Sequence, residues 1–263
     1  MKLIKLCVIC IPFLLSAAGC AKPKSSDYPI ISPDKVVAMW LFDEDHKEIA
    51  YDSSGNGHDG ALMALTTRVP GKFGTALQFG GAGDAVVVPD FGESVPASEV
   101  TVAAWIKLEE IKNHDLFSLV PISRVGHWRP DILDRFTVHF PWNRPYPNMI
   151  HWQFGGEQIW MHRPSETLGR WEHWAFVCSA SQKFMKIYRN GSEVAWYKSA
   201  GQYSPRIADL HIGGRPRDLL GGTPGGTFGG IIDEFAVFNV ALNEREIVSL
   251  MGGIQNAVTP MEP

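Results

Sequence analysis

Short runs of apolar and aromatic residues, each closed off by Gly, Pro, Asn or Asp, recur along most of this chain, and that punctuation constrains the fold more than any other feature. They fall at residues 36–42, 76–79, 85–88, 100–108, 136–140, 149–154, 171–179, 184–189, 194–197, 210–212 and 231–238. Many short strands separated by frequent turn residues predict an all-β sandwich or barrel. The 263 residues include 26 Gly and 18 Pro to make the turns, and 45% hydrophobic residues to fill one large core. Asn190-Gly191 lies between two of the runs; this dipeptide adopts both positive φ angles of a type I′ turn, so the spacing predicts a tight hairpin. In Trp174-Ala175-Phe176-Val177-Cys178 large and smaller side chains alternate, as expected when one face meets the sandwich core and the other a thinner covering. Cys178 reads as a small core hydrophobe. Only residues 243–251 look helical: Asn243 is placed to cap, Glu246 stands three residues on, and Ile247, Leu250 and Met251 share a face before Gly252-Gly253.

The first 19 residues have a different character. Lys2 and Lys5 precede an apolar run from Leu6 to Leu15, and Ser16-Ala17-Ala18-Gly19 leads into Cys20. This is the pattern of a secretory signal, with an apolar stretch too short to remain as a membrane-spanning helix. The residues before Cys20 also resemble a bacterial lipobox, which implies that Cys20 becomes an acylated N-terminus and holds the protein outside the cytoplasm on a bacterial membrane, the outer one where the cell has two. The alternative is an ordinary signal peptide beside a chance cysteine. The expected organisation is a signal at 1–19, a lipidated N-terminus and Lys-, Pro- and Ser-rich tether at 20–35, a folded domain at 36–252 and a tail at 253–263. Losing the signal removes two lysines and no acid, which moves the formal net charge from −4 to −6. An acidic chain without basic runs is a poor partner for nucleic acid. Cys7 and Cys10 leave with the signal, so Cys178 has no partner for an intramolecular disulfide.

Two stretches at opposite ends of the domain answer one another: Trp40-Leu41-Phe42-Asp43-Glu44 with Asp52-Ser53-Ser54-Gly55-Asn56-Gly57-His58-Asp59-Gly60, and the run from Gly230 through Asp233-Glu234-Phe235 to Ile247. Between them lie Val69-Pro70-Gly71-Lys72-Phe73-Gly74, Thr101-Val102-Ala103-Ala104-Trp105, Trp171-Glu172-His173-Trp174 and Leu210-His211-Ile212-Gly213-Gly214. In this order they resemble the bacterial laminin-G-like branch of the concanavalin A-like lectin and glucanase superfamily, over about Val36 to Met251. The resemblance implies a jelly-roll β-sandwich of two antiparallel sheets with one short C-terminal helix. It also implies a structural calcium joining the first and last strands, for which Asp233, Asp43, Asp52 and Asn56 offer oxygens. Calcium takes six to eight oxygen ligands and mixes carboxylates with carbonyls, so two strand acids and a Gly-rich loop are suitable. Equally, Asp52 to Gly57 can be a turn in which Asp and Asn bond their own backbone.

Residues 125–170 depart most from the family pattern and concentrate aromatic, Arg and His side chains. Aromatic rings with polar side chains around them suit a shallow carbohydrate site. Phe136, Phe140, Trp152 and Phe154 alternate as core residues do, whereas Trp128, Arg129 and Trp142 lie in Pro- and Arg-rich turn contexts and are the expected ligand contacts. His139, His151, His162 and His173 are spaced by twelve, eleven and eleven residues, which matches no compact zinc motif. The glucanase pattern Glu-x-Asp-x-x-Glu is missing around Asp233, as are a Gly-x-Ser-x-Gly elbow and a phosphate-binding loop. The expectation is a non-catalytic module that binds a polysaccharide, a cell-surface glycan or a protein. A glycoside hydrolase and a purely structural adhesion module are the alternatives.

Overall fold

The computed structural model describes residues 30–81, 83–111, 115–119, 135–142, 148–164, 168–205, 207–214 and 226–258. Among these residues sixteen strands occupy Val36–Trp40 (β1), Ile49–Ala50 (β2), Gly60–Met63 (β3), Thr67–Pro70 (β4), Thr75–Phe79 (β5), Ala85–Val88 (β6), Glu99–Leu108 (β7), Asp115–Leu119 (β8), Phe136–Trp142 (β9), Met149–Phe154 (β10), Glu157–His162 (β11), Trp171–Ser179 (β12), Phe184–Arg189 (β13), Ser192–Tyr197 (β14), Leu210–Ile212 (β15) and Gly230–Phe238 (β16). They form two eight-stranded antiparallel sheets. In the first the order is β14-β13-β12-β7-β16-β5-β4, with β1 also on β16; in the second it is β11-β10-β9-β8-β15-β6-β3-β2. The expected all-β sandwich is therefore present, and every run read from the sequence is a strand.

Alternation along each strand builds the layers. Val102, Ala104 and Ile106 on β7, Trp174, Phe176 and Cys178 on β12, and Ile232 and Val237 on β16 point between the sheets. There they meet Phe136, Val138 and Phe140 of β9 and Ile150, Trp152 and Phe154 of β10. The four aromatics whose spacing suggested core are core, and Cys178 is buried among them as a free thiol that burial pushes up to about 12. The opposite face of the first sheet makes a second, smaller cluster of Ala103, Ala175, Val177, Ala236 and Phe238. It is covered by helices Glu244–Leu250 (α1) and Ile254–Ala257 (α2), through Ile247, Leu250 and Ile254. Asn243 and Glu246 form the expected reciprocal capping box at the start of α1. The second helix, past Gly252-Gly253, was not foreseen. Asn190 and Gly191 take φ values of 49° and 80°, as the predicted hairpin turn requires.

One junction organises the chain ends. β16 pairs with β5 through residues 230–232 and with β1 through residues 235–238, so the two partners follow one another along the same strand. The change of partner falls where β16 bulges against β7, between Asp233 and Ala236, and Glu234 takes a φ of 49° there. Beyond β1, the loop at residues 42–49 is gathered by one cation. The Arg68 guanidinium donates to the carbonyls of Phe42, His46 and Ile49 and to Glu44 Oε1, at 2.7–2.8 Å. These four acceptors outnumber the donors of an ammonium but are all met by the guanidinium fork.

Candidate functional site on the outward face of the second sheet

Antiparallel register places residues directly opposite one another on the same face. Across the second sheet it aligns Asp115 (β8), His139 (β9), His151 (β10) and Trp160 (β11) in one row. A neighbouring row contains His211, Ser118, Thr137, Gln153 and Gln158. Both rows point away from the core, because the residues between them fill it. A sheet face turned outward is ordinarily wet, yet Asp115, His139, His151, Gln153, Ser118 and Thr137 are all buried. Buried polar side chains carry a desolvation cost and need partners, which makes this face the strongest indication of a built site in the molecule.

The partners form a chain. Asp115 Oδ1 holds His139 Nδ1, and the His139 ring lies 5.3 Å from that of His151. His151 stacks on the Trp160 indole with centroids 3.2 Å apart and planes 7° from parallel. His151 Nε2 donates to Gln158 Oε1 at 2.9 Å, and that oxygen also accepts from Gln153 Nε2 at 3.3 Å. With its proton on Nε2, His151 keeps a lone pair on Nδ1, and this buried atom has no hydrogen-bond partner. Burial, reinforced by repulsion from His139, depresses the His151 pKa to about 2 and keeps the ring neutral. Trp160 is only partly buried and Gln158 is exposed. The row thus ends at the edge strand in an indole reachable from outside and fixed from behind.

Of the expected ligand contacts, Trp128 and Arg129 lie outside the described residues. Trp142 ends β9, with its backbone opposite Met149, and its side chain lies outside the described set. The four histidines do not gather: His139 and His151 meet, His162 is exposed on β11, and His173 lies in the other sheet. Asp115 and Gln158 were missed, and Trp160, inside the 125–170 segment, reads from sequence with the core aromatics and not as a contact, because their strands lack a continuous apolar run; the alternation of Gln158, Trp160 and His162 with Ile159 and Met161 was the available signal.

The expected calcium residues separate into two groups. Asp43 and Asp233 flank the turn from Gly71 to Gly74: Asp43 Oδ1 accepts from Thr75 N at 2.7 Å, and Asp233 Oδ2 accepts from Lys72 N and Phe73 N at 2.7 and 3.0 Å. A Cβ on Gly74 would stand 2.0 Å from Asp43 Oδ1, so a side chain there would displace the acid. Asp233 Oδ1 is buried without a partner, and burial, with a smaller push from Asp43, raises the Asp233 pKa to about 6. An orphaned buried carboxylate oxygen beside a second acid fits a divalent cation. Among the described residues no three His, Cys, Asp or Glu side chains converge on a metal position, so carbonyls must complete any set. Asp52 and Asn56 are engaged elsewhere. Asp52 accepts from Met39 N, Ser54 N and His58 N, and the Asn56 amide donates to the Val36 and Val37 carbonyls at the far end of β1. In these positions they pin the turn to β1.

A family profile described as the concanavalin A-like lectin/glucanases superfamily, Laminin_G_3, matches residues 79–248. The chain belongs to that superfamily. No curated protein sequence matches it. Among solved structures it is similar to domain 4 of AbnA, a GH43 extracellular arabinanase from Geobacillus stearothermophilus, in complex with arabinotriose; identity is 21%, the TM-score 0.57, and the match covers 82% of this chain and 98% of that one. It is also similar to the binding domain of botulinum neurotoxin DC in complex with rat synaptotagmin II, at 11% identity and TM-score 0.60, over 85% of this chain and 52% of that one. Trypanosoma rangeli sialidase matches at 16% identity and TM-score 0.60, over 86% of this chain and 34% of the enzyme. At these identities the likeness shows the fold, and this fold serves both binding domains and enzymes.

Proposed function

We propose that this chain is a non-catalytic, extracytoplasmic module, lipid-anchored through Cys20, that binds carbohydrate on the outward face of its second sheet. The observation that carries the reading is Trp160, an accessible indole held flat by His151 and flanked by the Gln153–Gln158 amide pair. Indole faces stack on sugar rings, and fixed amides beside them bond hydroxyls. Trp128, Arg129 and Trp142 belong to the same proposal as further contacts. The arabinotriose-bound domain, spanned over nearly its full length, supports a sugar, whereas the synaptotagmin-bound toxin domain supports a protein partner as the alternative. A calcium ion between Asp43 and Asp233 completes the proposal as a structural element.

A glycan array probed with the full chain identifies the ligand class. Trp160→Ala should then lose at least tenfold in affinity while melting close to the wild type, whereas Trp152→Ala, in the core, should lose about 3–5 kcal/mol of stability. Undiminished binding by Trp160→Ala would move the site elsewhere. For the anchor, Cys20→Ser should release the protein from membranes; continued fatty-acid labelling of that variant refutes acylation at Cys20.

One observation favours a second reading, polysaccharide cleavage. Asp115 holds His139 through Nδ1, the pairing by which a carboxylate orients an imidazole that acts as a general base. New reducing ends released from the array-positive glycan by the wild type, and not by His139→Ala, would establish it.

A further inference from the structure

The connection from β3 to β4 carries the most exposed large apolar side chain among the described residues. Leu65 is 76% exposed and Met63 44%, with Ala61 and Ala64 also exposed beside them. From Gly60 to Thr67 the sequence is Gly-Ala-Leu-Met-Ala-Leu-Thr-Thr, eight residues without a charge. A single surface leucine is ordinary, whereas adjoining apolar side chains at one tip form a patch.

The tip is fixed from behind. Asp84, 3% exposed, accepts from Leu65 N at 2.9 Å with one oxygen and from Gly80 N and Gly81 N at 3.0 and 2.7 Å with the other. The buried Thr66 hydroxyl donates to the Met63 carbonyl at 2.7 Å and accepts from Ala85 N at 3.1 Å, while Thr66 N closes the turn onto the same carbonyl. Leu62 N donates to the Glu48 carbonyl at 2.8 Å. Ala64 takes a φ of 53°, a conformation that Gly or Asn adopts with less strain. The turn thus keeps an apolar side chain where its geometry favours a polar one or none, on a backbone that holds Met63 and Leu65 out in water.

Hydrogen bonding decides what such a tip fits. Hydrocarbon offers neither donor nor acceptor, so a segment that enters it must bring its backbone groups already bonded. The backbone donors of Leu62, Leu65 and Thr66 are bonded within the domain, and none of the eight residues has a charge to desolvate. Topology gives the tip a direction. β3 lies beside the last strand of the second sheet and β4 is the last of the first, so the tip joins the two sheets on one side of the sandwich; β11 and β14, alongside one another, form the other side. Six strand spacings separate β3 from β11, about 29 Å.

We propose that the Met63–Leu65 tip inserts into the lipid surface of a membrane and stands the domain with its β11 edge, and with it Trp160, turned away from the bilayer. Insertion is shallow, and its strength follows the apolar area it buries. It depends neither on acylation of Cys20 nor on what Trp160 binds; where the chain is acylated, the tip orients what the lipid holds.

The test places a polarity-sensitive thiol dye on Ala64→Cys in the full chain, which leaves Met63 and Leu65 in place; Cys178 is fully buried, and wild type treated in parallel is the blank. With vesicles of phosphatidylcholine and phosphatidylglycerol at millimolar lipid, the dye should shift to the blue and be quenched about twofold or more by nitroxides on the acyl chains, whereas the same dye on His162→Cys, exposed on β11, should stay wet. Met63→Asp/Leu65→Asp should melt like the wild type, since both side chains are exposed, and reduce quenching at residue 64 to the level at residue 162. If that variant melts early, the contrast between the two probe positions decides alone. A probe at residue 64 that stays wet overturns the proposal, and so does equal quenching at both positions. A blue-shifted probe that lipid nitroxides do not quench places the tip in a protein contact instead. Fatty-acid labelling of the same preparation reports the anchor separately: a wet probe on a labelled, vesicle-bound chain refutes the tip alone, and a quenched probe on an unlabelled chain refutes the anchor alone.

Discussion

His173 shows how a single residue can be legible as to place and opaque as to cost. Its position on a strand followed from the alternation of Trp171 to Ser179, but alternation does not reveal that it is 1% exposed with neither ring nitrogen hydrogen-bonded. It faces the Trp105 ring, 5.5 Å away, whose Nε1 is also buried and unpaired. Burial depresses the His173 pKa from 6.5 to about 3. The unfolded chain therefore binds a proton near pH 6.5 that the folded chain refuses until about pH 3, so stability contributed by the neutral ring is present above 6.5 and is lost as pH falls between those values. His173→Phe removes both the titration and the unpaired nitrogens, each unsatisfied buried group costing about 1–3 kcal/mol. The variant should match or exceed the wild type at neutral pH, and its advantage should grow as pH drops toward 4. Asp233 and Glu234, raised to about 6 and about 7, push stability the other way in acid, but they are common to both proteins and cancel in the difference. Denaturant midpoints compared at neutral and acid pH test this; a gap that does not move with pH removes His173 as the titrating group. The Asp115–His139 pair was hidden for a related reason, since the two are 24 residues apart and only strand register brings them together.

Elements with one dry and one polar face were read well; those without an uninterrupted apolar run were not. β8 is Asp-Leu-Phe-Ser-Leu and β11 is Glu-Gln-Ile-Trp-Met-His, and both carry polar residues whose burial depends on the assembled sheet. β2, β3 and β4 are two to four residues long and lie in what reads as turn sequence. The ends of the domain were legible because their composition is unusual: acids beside aromatics in two separated stretches, which the structure joins at the β16 bulge. That junction is where a cation would act. Asp233 Oδ1 has no donor, and Glu234, bonded to Ile254 N at 2.8 Å, ties the same bulge to α2. An ion that binds only the folded state adds about 2.7 kcal/mol at a hundredfold excess over Kd. Chelator should accordingly lower the wild-type melting temperature, while Asp233→Asn should respond little. Addition of calcium to metal-stripped protein without any rise in melting temperature would leave the junction held by hydrogen bonds alone.

At the scale of the whole molecule, the two clusters differ in what closes them. The main core lies between two sheets and is sealed by both, whereas the smaller cluster has a sheet on one side and, among the described residues, segments near the domain's two ends on the other. Ile31 donates to the Ala257 carbonyl at 2.8 Å and forms a bridge with Val258, so the segment entering β1 and the segment leaving α2 lie side by side over that cluster. Ile247, Leu250 and Ile254 are completely buried there. Each such side chain is worth about 1.5–3 kcal/mol, so the three together approach the 5–15 kcal/mol that holds a typical domain folded. Ending the chain at Asn243 should therefore cost most or all of the net stability, although every strand remains. It would also strip the cover from Ala103, Ala175, Val177, Ala236 and Phe238, which form an apolar surface on the outward face of the first sheet. The truncated chain should lose its cooperative thermal transition and bind a hydrophobic dye, whereas Leu250→Ala should retain a single transition lowered by about 2–5 kcal/mol. A truncated chain that melts cooperatively near the wild-type temperature would show that the sandwich stands without its helical cover, and that the smaller cluster contributes far less than its burial implies.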